Sequence, residues 1–261
     1  VSLQMDLRKL SKSLKALSGD EQYNEMMNLL KNDPTLMAEF VASPVSLKTE
    51  KVYPIATYGS AMAPFYTVLA IWVGALILVA LIHVKVAPIE NFKVRPWQAF
   101  FGRYITFFLI GQAQTAITVL GDLFYVDIQC PHPFLFWLAA AASSFVFTLL
   151  IYSLTVAMGN VGEAIAVIIM VIQVAGAGGT FPIEVLPEVY QMIYKYLPFT
   201  YCMNAMRECV GGLYQNDYWM DLSALSVYVL ISLLVGLIVA IPLRRLNKVI
   251  ERSKEKSKVM L

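Results

Sequence analysis

Five long apolar runs, separated by short polar stretches, set the pattern of the chain. They cover residues 61–84, 97–120, 134–158, 163–177 and 222–243. A bilayer core about 30 Å thick takes roughly 20 apolar residues at about 1.5 Å rise each. Each run therefore predicts a membrane-spanning helix. The first and third carry no Asp, Glu, Lys or Arg, and the second carries only Arg103. The fourth is the shortest and closes in Gly176-Ala177-Gly178-Gly179, and the fifth is uncharged until Arg244. The expected fold is an all-α membrane protein: five transmembrane helices, a re-entrant helical hairpin before the last span, and an N-terminal extracellular helical stub.

The hairpin is read from residues 178–219, which are apolar but broken by Pro182, Pro187 and Pro198. That interruption predicts two short helices, near 187–196 and 200–211, instead of a span. Non-helical backbone at membrane depth survives only where protein or water satisfies it, so the segment should pack into the outer mouth of the bundle. Its second helix carries Arg207-Glu208. Ionisable groups there are costly unless paired or facing water, and the pair can be a gate or a structural tie. Upstream, Leu3, Leu7, Leu10, Leu14 and Leu17 step by four and three, a heptad pattern. It fits either the end of a longer coiled coil or an amphipathic helix packed on its own domain. The expected division is 1–57 as an extracellular helical segment, 58–245 as the membrane domain and 246–261 as a basic tail.

Composition agrees with a membrane solvent. Of 261 residues, 58% are hydrophobic and 15% charged, against roughly a quarter charged in soluble domains. Charge placement sets the orientation. The tail holds Arg244, Arg245, Lys248, Arg252, Lys254, Lys256 and Lys258 against Glu251 and Glu255, which predicts a cytoplasmic C-terminus by the positive-inside rule. The loop bearing Lys85, Lys93 and Arg95 then falls inside, and the Lys- and Arg-free loop 122–133 outside. The chain opens on Val1 with no signal-like segment, so an upstream helix is expected to precede it. Cys130, Cys202 and Cys209 all fall in outward segments; one disulfide from Cys130 or three free thiols are both open, and free thiols are favoured.

The sequence has no phosphate-loop, GxSxG, HExxH or GxGxxG motif, so no catalytic residue, cofactor, metal or nucleic-acid partner is expected. Ser143-Ser144, in an Ala-rich run, suits close helix packing. Gln112, Gln114, Asn160 and Gln173 lie in the spans or at their ends, and can bond neighbouring helices or line a path. Glu163 suits a helix N-terminus. Pro88, Phe92, Arg95 and Pro96 mark an inner loop whose apolar and charged residues interleave, as in a surface elbow that a cytoplasmic partner could push.

Two stretches carry a family resemblance. Gly179-Thr180-Phe181-Pro182-Ile183-Glu184-Val185-Leu186-Pro187, then Leu197-Pro198-Phe199-Thr200-Tyr201 and Ala205-Met206-Arg207, resemble the G-x-F-P-x-E-x-L-P element and outer hairpin of type-2 ABC exporter permeases. Ala42-Ser43-Pro44-Val45, Tyr53-Pro54-Ile55 and Tyr58 to Tyr66 resemble the entry to the C-terminal membrane domain of the YhgE/Pip family. The resemblance implies a Gram-positive plasma-membrane protein with one upstream span. It implies a homodimer and, if the protein is energised, a separate nucleotide-binding ATPase touching the 88–96 loop. Phe181, Pro182, Glu184, Pro187, Pro198, Arg207 and Glu208 would form the outer gate. The alternative it implies is a cell-surface anchor or receptor, engaged by phage or by type VII secretion or envelope components.

Overall fold

A computed structural model describes residues 53–84, 94–179, 181–240 and 242. The heptad at Leu3 to Leu17, Pro88, Phe92 and the basic tail lie outside the described residues. Among the described residues all regular structure is helical. Four long helices are α1 (Tyr58–Leu81), α2 (Pro96–Leu120), α3 (Pro133–Met158) and, near the end of the chain, α7 (Asp217–Leu234). Between α3 and α7 come α4 (Asn160–Gly176), α5 (Glu188–Ile193) and α6 (Pro198–Gly211). One π-helical turn, Gly121–Tyr125, extends α2, and another, Val235–Val239, extends α7.

Among the described residues, four helices are long and apolar enough to cross a membrane: Tyr58–Leu81, Pro96–Tyr125, Pro133–Met158 and Asp217–Val239. The fourth predicted span, α4, has 17 residues and is about 25 Å long at about 1.5 Å per residue, short of the hydrocarbon thickness. The last long helix begins at Asp217 and not at Leu222, so two carboxylates open it.

Local sequence explains the helix ends. The Thr57 hydroxyl accepts from the Ser60 amide at 3.2 Å, an N-cap on α1. Pro96, Pro133 and Pro198 sit at the first positions of α2, α3 and α6, where the missing N–H costs nothing. The Gln98 side chain also accepts from the Arg95 amide, 3.1 Å away. Gly159, with φ +60°, ends α3 and starts α4 in one residue, a backbone conformation that strains any residue with a Cβ.

The core lies around α3, which packs on α1, α2, α4, α6 and α7. Trp72 and Phe147 meet edge to face at 4.7 Å, and Tyr152 stacks near both Phe100 and Phe107 at 5.0 Å. Hydroxyls on α3 turn back on their own helix: Ser143 donates to the Ala139 carbonyl at 2.7 Å, Thr148 to Ser144 at 2.6 Å and Thr155 to Ile151 at 2.9 Å. These bonds satisfy the hydroxyls where no water reaches.

Candidate functional site

Residues 177–216 after α4 split into an inner helix and an outer strap. The inner helix, α6, is fixed at both ends. At its start, the Phe199 amide donates to Gln173 Oε1 of α4 at 3.2 Å, so a side chain from another helix supplies the N-terminal acceptor that local sequence lacks. Phe199 meets Phe65 of α1 at 5.7 Å, edge to face. A Cβ on Gly179 would collide with the Phe65 ring; only a glycine lets the chain pass so closely. Near the other end, Arg207 Nη2 donates to the Gly178 carbonyl at 2.9 Å and to Gly179 at 3.4 Å. Arg207 thus fastens α6 to the backbone that leaves α4. Burial lowers its guanidinium below the ordinary value, and nearby Tyr194 works against that shift.

Glu208 does not pair with Arg207. Its carboxylate accepts from the Tyr214 amide at 2.5 Å, tying α6 to the turn before α7. Pro198 is buried, whereas Phe181, Pro182, Glu184 and Pro187 are exposed on the strap. Gln191 staples the strap by donating to the Leu186 carbonyl at 2.8 Å and to Glu184 at 3.3 Å. The seven hairpin residues therefore form two groups: Pro198, Arg207 and Glu208 in the docked half, and the other four facing outward.

The four polar residues named for the spans do not meet in one place. Gln112 donates to the Ala141 carbonyl of α3 at 3.0 Å. Gln114 lies over Gly74 of α1, where a Cβ would strike its amide. Asn160 is exposed in the first turn of α4, and Gln173 is fully buried at its far end, about 20 Å away along the helix. Arg95 and Pro96 open α2, as described above. Two turns further on, Arg103 donates two hydrogen bonds to the His83 carbonyl just beyond α1. This holds the ends of the first two long helices together.

Several linking residues escaped the sequence reading. Gln129 bonds three partners of the outer approach: it accepts from the Ala56 amide, donates through its side chain to the Pro54 carbonyl, and donates its own amide to the Ser60 hydroxyl, all at 2.8 Å. Thr67 of α1 donates to the Asp122 carboxylate at 2.5 Å. No local pattern marks such pairs, which lie 55 or more residues apart. Asn204, Arg207 and Glu208 of α6, with Asp217, Met220 and Asp221 of α7, line a cleft of about 360 Å³. The one signal for it was the Asp-x-x-x-Asp spacing at 217 and 221, which places both carboxylates on one face of a helix.

Cys130, Cys202 and Cys209 are free thiols, with Cys130 Sγ 3.6 Å from the Cys209 carbonyl. Burial pushes the thiols of Cys202 and Cys209 up to about 12. Among the described residues, no group of three or more His, Cys, Asp or Glu could hold a metal ion.

Comparison with known proteins places this geometry in context. The family described as "ABC-2 family transporter protein" matches residues 5–241. The chain is similar to "Uncharacterized protein YhgE" of Bacillus subtilis (strain 168), with 31% identity over 174 residues, which is 66% of this chain and 22% of that protein. The chain thus matches about a fifth of that relative's length. No solved structure matches.

Proposed function

Because the chain belongs to the ABC-2 family of transporter proteins, we propose that it is the membrane permease subunit of an export system, with the 177–216 hairpin as its outer gate. In this reading α4 is a fifth span, shortened because the hairpin re-enters the membrane at its end. Pro198, Arg207 and Glu208 anchor the gate, and Phe181, Pro182, Glu184 and Pro187 form its outward lip. The observation that carries the reading is the docking of α6 by Gln173 and Arg207. A loop broken by three prolines is held by Gln173 of the preceding helix and by its own Arg207, which bonds the backbone leaving that helix, as a gate needs a fixed hinge and a free edge.

The rest of the mechanism follows from the family. Two copies would build the path between them. The C-terminus and the 85–95 loop would be cytoplasmic, and a separate ATPase would act on that loop. Arg103, bound to the His83 carbonyl, would transmit a push on the loop to α1 and α2 together. The test is a mild-detergent pull-down of the full-length protein from its own membrane, with mass spectrometry of the partners. Recovery of a nucleotide-binding ATPase, lost on substituting Phe92 and Arg95, is the expected result. Reproducible recovery of envelope or secretion components with no ATPase would sink the exporter reading.

A further inference from the structure

The cleft between α6 and the start of α7 shares Arg207 and Glu208 with the gate anchor but adds Asp217 and Asp221, which the gate reading does not use. Arg207 reaches its wall with the guanidinium already oriented by the Gly178 and Gly179 carbonyls. That contact uses Nη2 alone, so the guanidinium keeps further N–H donors. On the opposite wall stand Asp217 and Asp221, one turn apart on α7. Neither carboxylate receives a hydrogen bond or ion pair from a described residue. Glu208 is occupied by the Tyr214 amide, and the Asn204 side chain donates to the Tyr194 hydroxyl at 3.4 Å. The cleft therefore offers one oriented guanidinium from α6 and, from α7, two carboxyl groups with no hydrogen-bond donor among the described residues.

Size and depth narrow the ligand. A volume of about 360 Å³ falls at the small end of ligand sites, roughly 300–1,000 Å³. Among the described residues no group of three or more His, Cys, Asp or Glu could hold a metal ion, and a paired carboxyl set beside a guanidinium suits a ligand that carries both an ammonium and an anion. The cleft sits at the first turn of a helix long and apolar enough to span a bilayer, and Trp219 and Tyr214 beside it are exposed. Amphipathic aromatics occupy the headgroup level, and the first turn of a span lies at the same depth.

We propose that this cleft binds the zwitterionic, amine-bearing headgroup of a phospholipid, with the ammonium on Asp217 and Asp221 and the phosphate on Arg207. A primary ammonium can donate to both carboxylates, whereas a quaternary one has no N–H to give. A headgroup without nitrogen offers the carboxyl groups only neutral hydroxyl donors, and its phosphate charge is not balanced within the headgroup.

The site is tested with the purified full chain in detergent, by native mass spectrometry and thermal melting with added phosphatidylethanolamine, phosphatidylcholine or phosphatidylglycerol. The expected result is a preference for phosphatidylethanolamine of roughly tenfold over the other two, from ammonium–carboxylate hydrogen bonds that only it can make. The Asp217→Asn/Asp221→Asn variant should lose that preference while melting like the parent in lipid-free detergent. The single variant Asp221→Asn, which spares the first residue of α7, should lose most of it. Equal binding of phosphatidylglycerol, or a preference that survives both variants, would overturn the proposal. Displacement of the lipid by free phosphoethanolamine at equal concentration would overturn the lipid assignment and give the site to a soluble zwitterion. None of these outcomes depends on an ATPase partner, so they stand or fall apart from the exporter reading.

Discussion

Helices α3 and α7 are both long and strongly apolar, yet they occupy opposite environments. In α3, 61% of the most apolar window is buried inside the protein; in the α7 span the share is 17%. The buried helix is the one richer in small and hydroxylated residues, with Ala139, Ala140, Ser143, Ser144, Thr148, Ser153 and Thr155 all buried. The peripheral helix instead turns Val227, Leu230, Ile231, Leu234 and Ile238 outward. This inverts the rule for soluble proteins. Lipid tails are as apolar as leucine, so helices gain little by hiding leucine from lipid, and they associate where small side chains allow close packing. The hairpin repeats the contrast on a smaller scale, with α6 packed inward and the strap carrying α5 exposed.

The largest effect expected from that contrast is chemical. Cys202 on α6 is fully buried, and burial raises its thiol to about 12. At pH 8 its thiolate fraction is roughly a thousandfold below that of an ordinary thiol near 8.5. Maleimide should label a Glu188→Cys probe on the strap at least that much faster than Cys202 in the folded protein. Comparable rates would mean that α6 is not docked. The sign for stability is the reverse of a carboxylate's. Burial favours the protonated thiol, so its contribution is complete below about pH 8.5 and is lost as pH climbs toward 12.

Packing tests come next. Ala140→Phe in α3 should cost about 3 kcal/mol or more and lower the folded yield, because overpacking a filled core forces neighbours apart. Leu230→Phe in α7 should stay within about 0.5 kcal/mol. Melting of the two purified variants decides it, and equal losses would remove the contrast. Arg207→Ala leaves the Gly178 and Gly179 carbonyls without their donor and should cost about 1–3 kcal/mol, read as reduced folded yield and earlier proteolysis of the strap. Normal yield with export lost would assign Arg207 to the gate motion instead. The smallest effect is expected for Gln112→Ala, which removes one interhelical hydrogen bond and should cost about 0.6 kcal/mol; a loss above 2 kcal/mol in the same melting assay would give Gln112 a larger part than its bond to Ala141.

Much of this was legible in the chain. The apolar runs marked the long helices to within a few residues at most ends, because a helix that leaves water must satisfy its own backbone. The prolines at 182, 187 and 198 marked the breaks of the hairpin, because proline lacks the N–H that a helix interior requires. The last helix was the exception. Counting apolar residues placed its start at Leu222, whereas Asp217 and Asp221 sit on its first turns, where helix ends tolerate charge. The candidate site was half legible. The Gly179 to Pro187 motif located the strap, but the partners of Arg207 and Gln173 were not predictable. Arg207 bonds backbone carbonyls 28 and 29 residues away, and a carbonyl leaves no trace in residue identity. The Gln129 clasp, reaching 69 to 75 residues back, was invisible for the same reason.

By itself, the sequence determined that the chain is helical, where its long helices lie and where the hairpin breaks. Those features depend on backbone hydrogen bonding and on transfer of local segments out of water, both set within a few turns. Only the tertiary structure decided that α3 is central, that α6 docks on Gln173 and Phe65, and that Arg207, Asp217 and Asp221 line one cleft. Hydropathy separates membrane from water, but it cannot separate lipid from protein interior when both are equally apolar. That choice is made by close packing and by the few polar groups that must find partners across the fold.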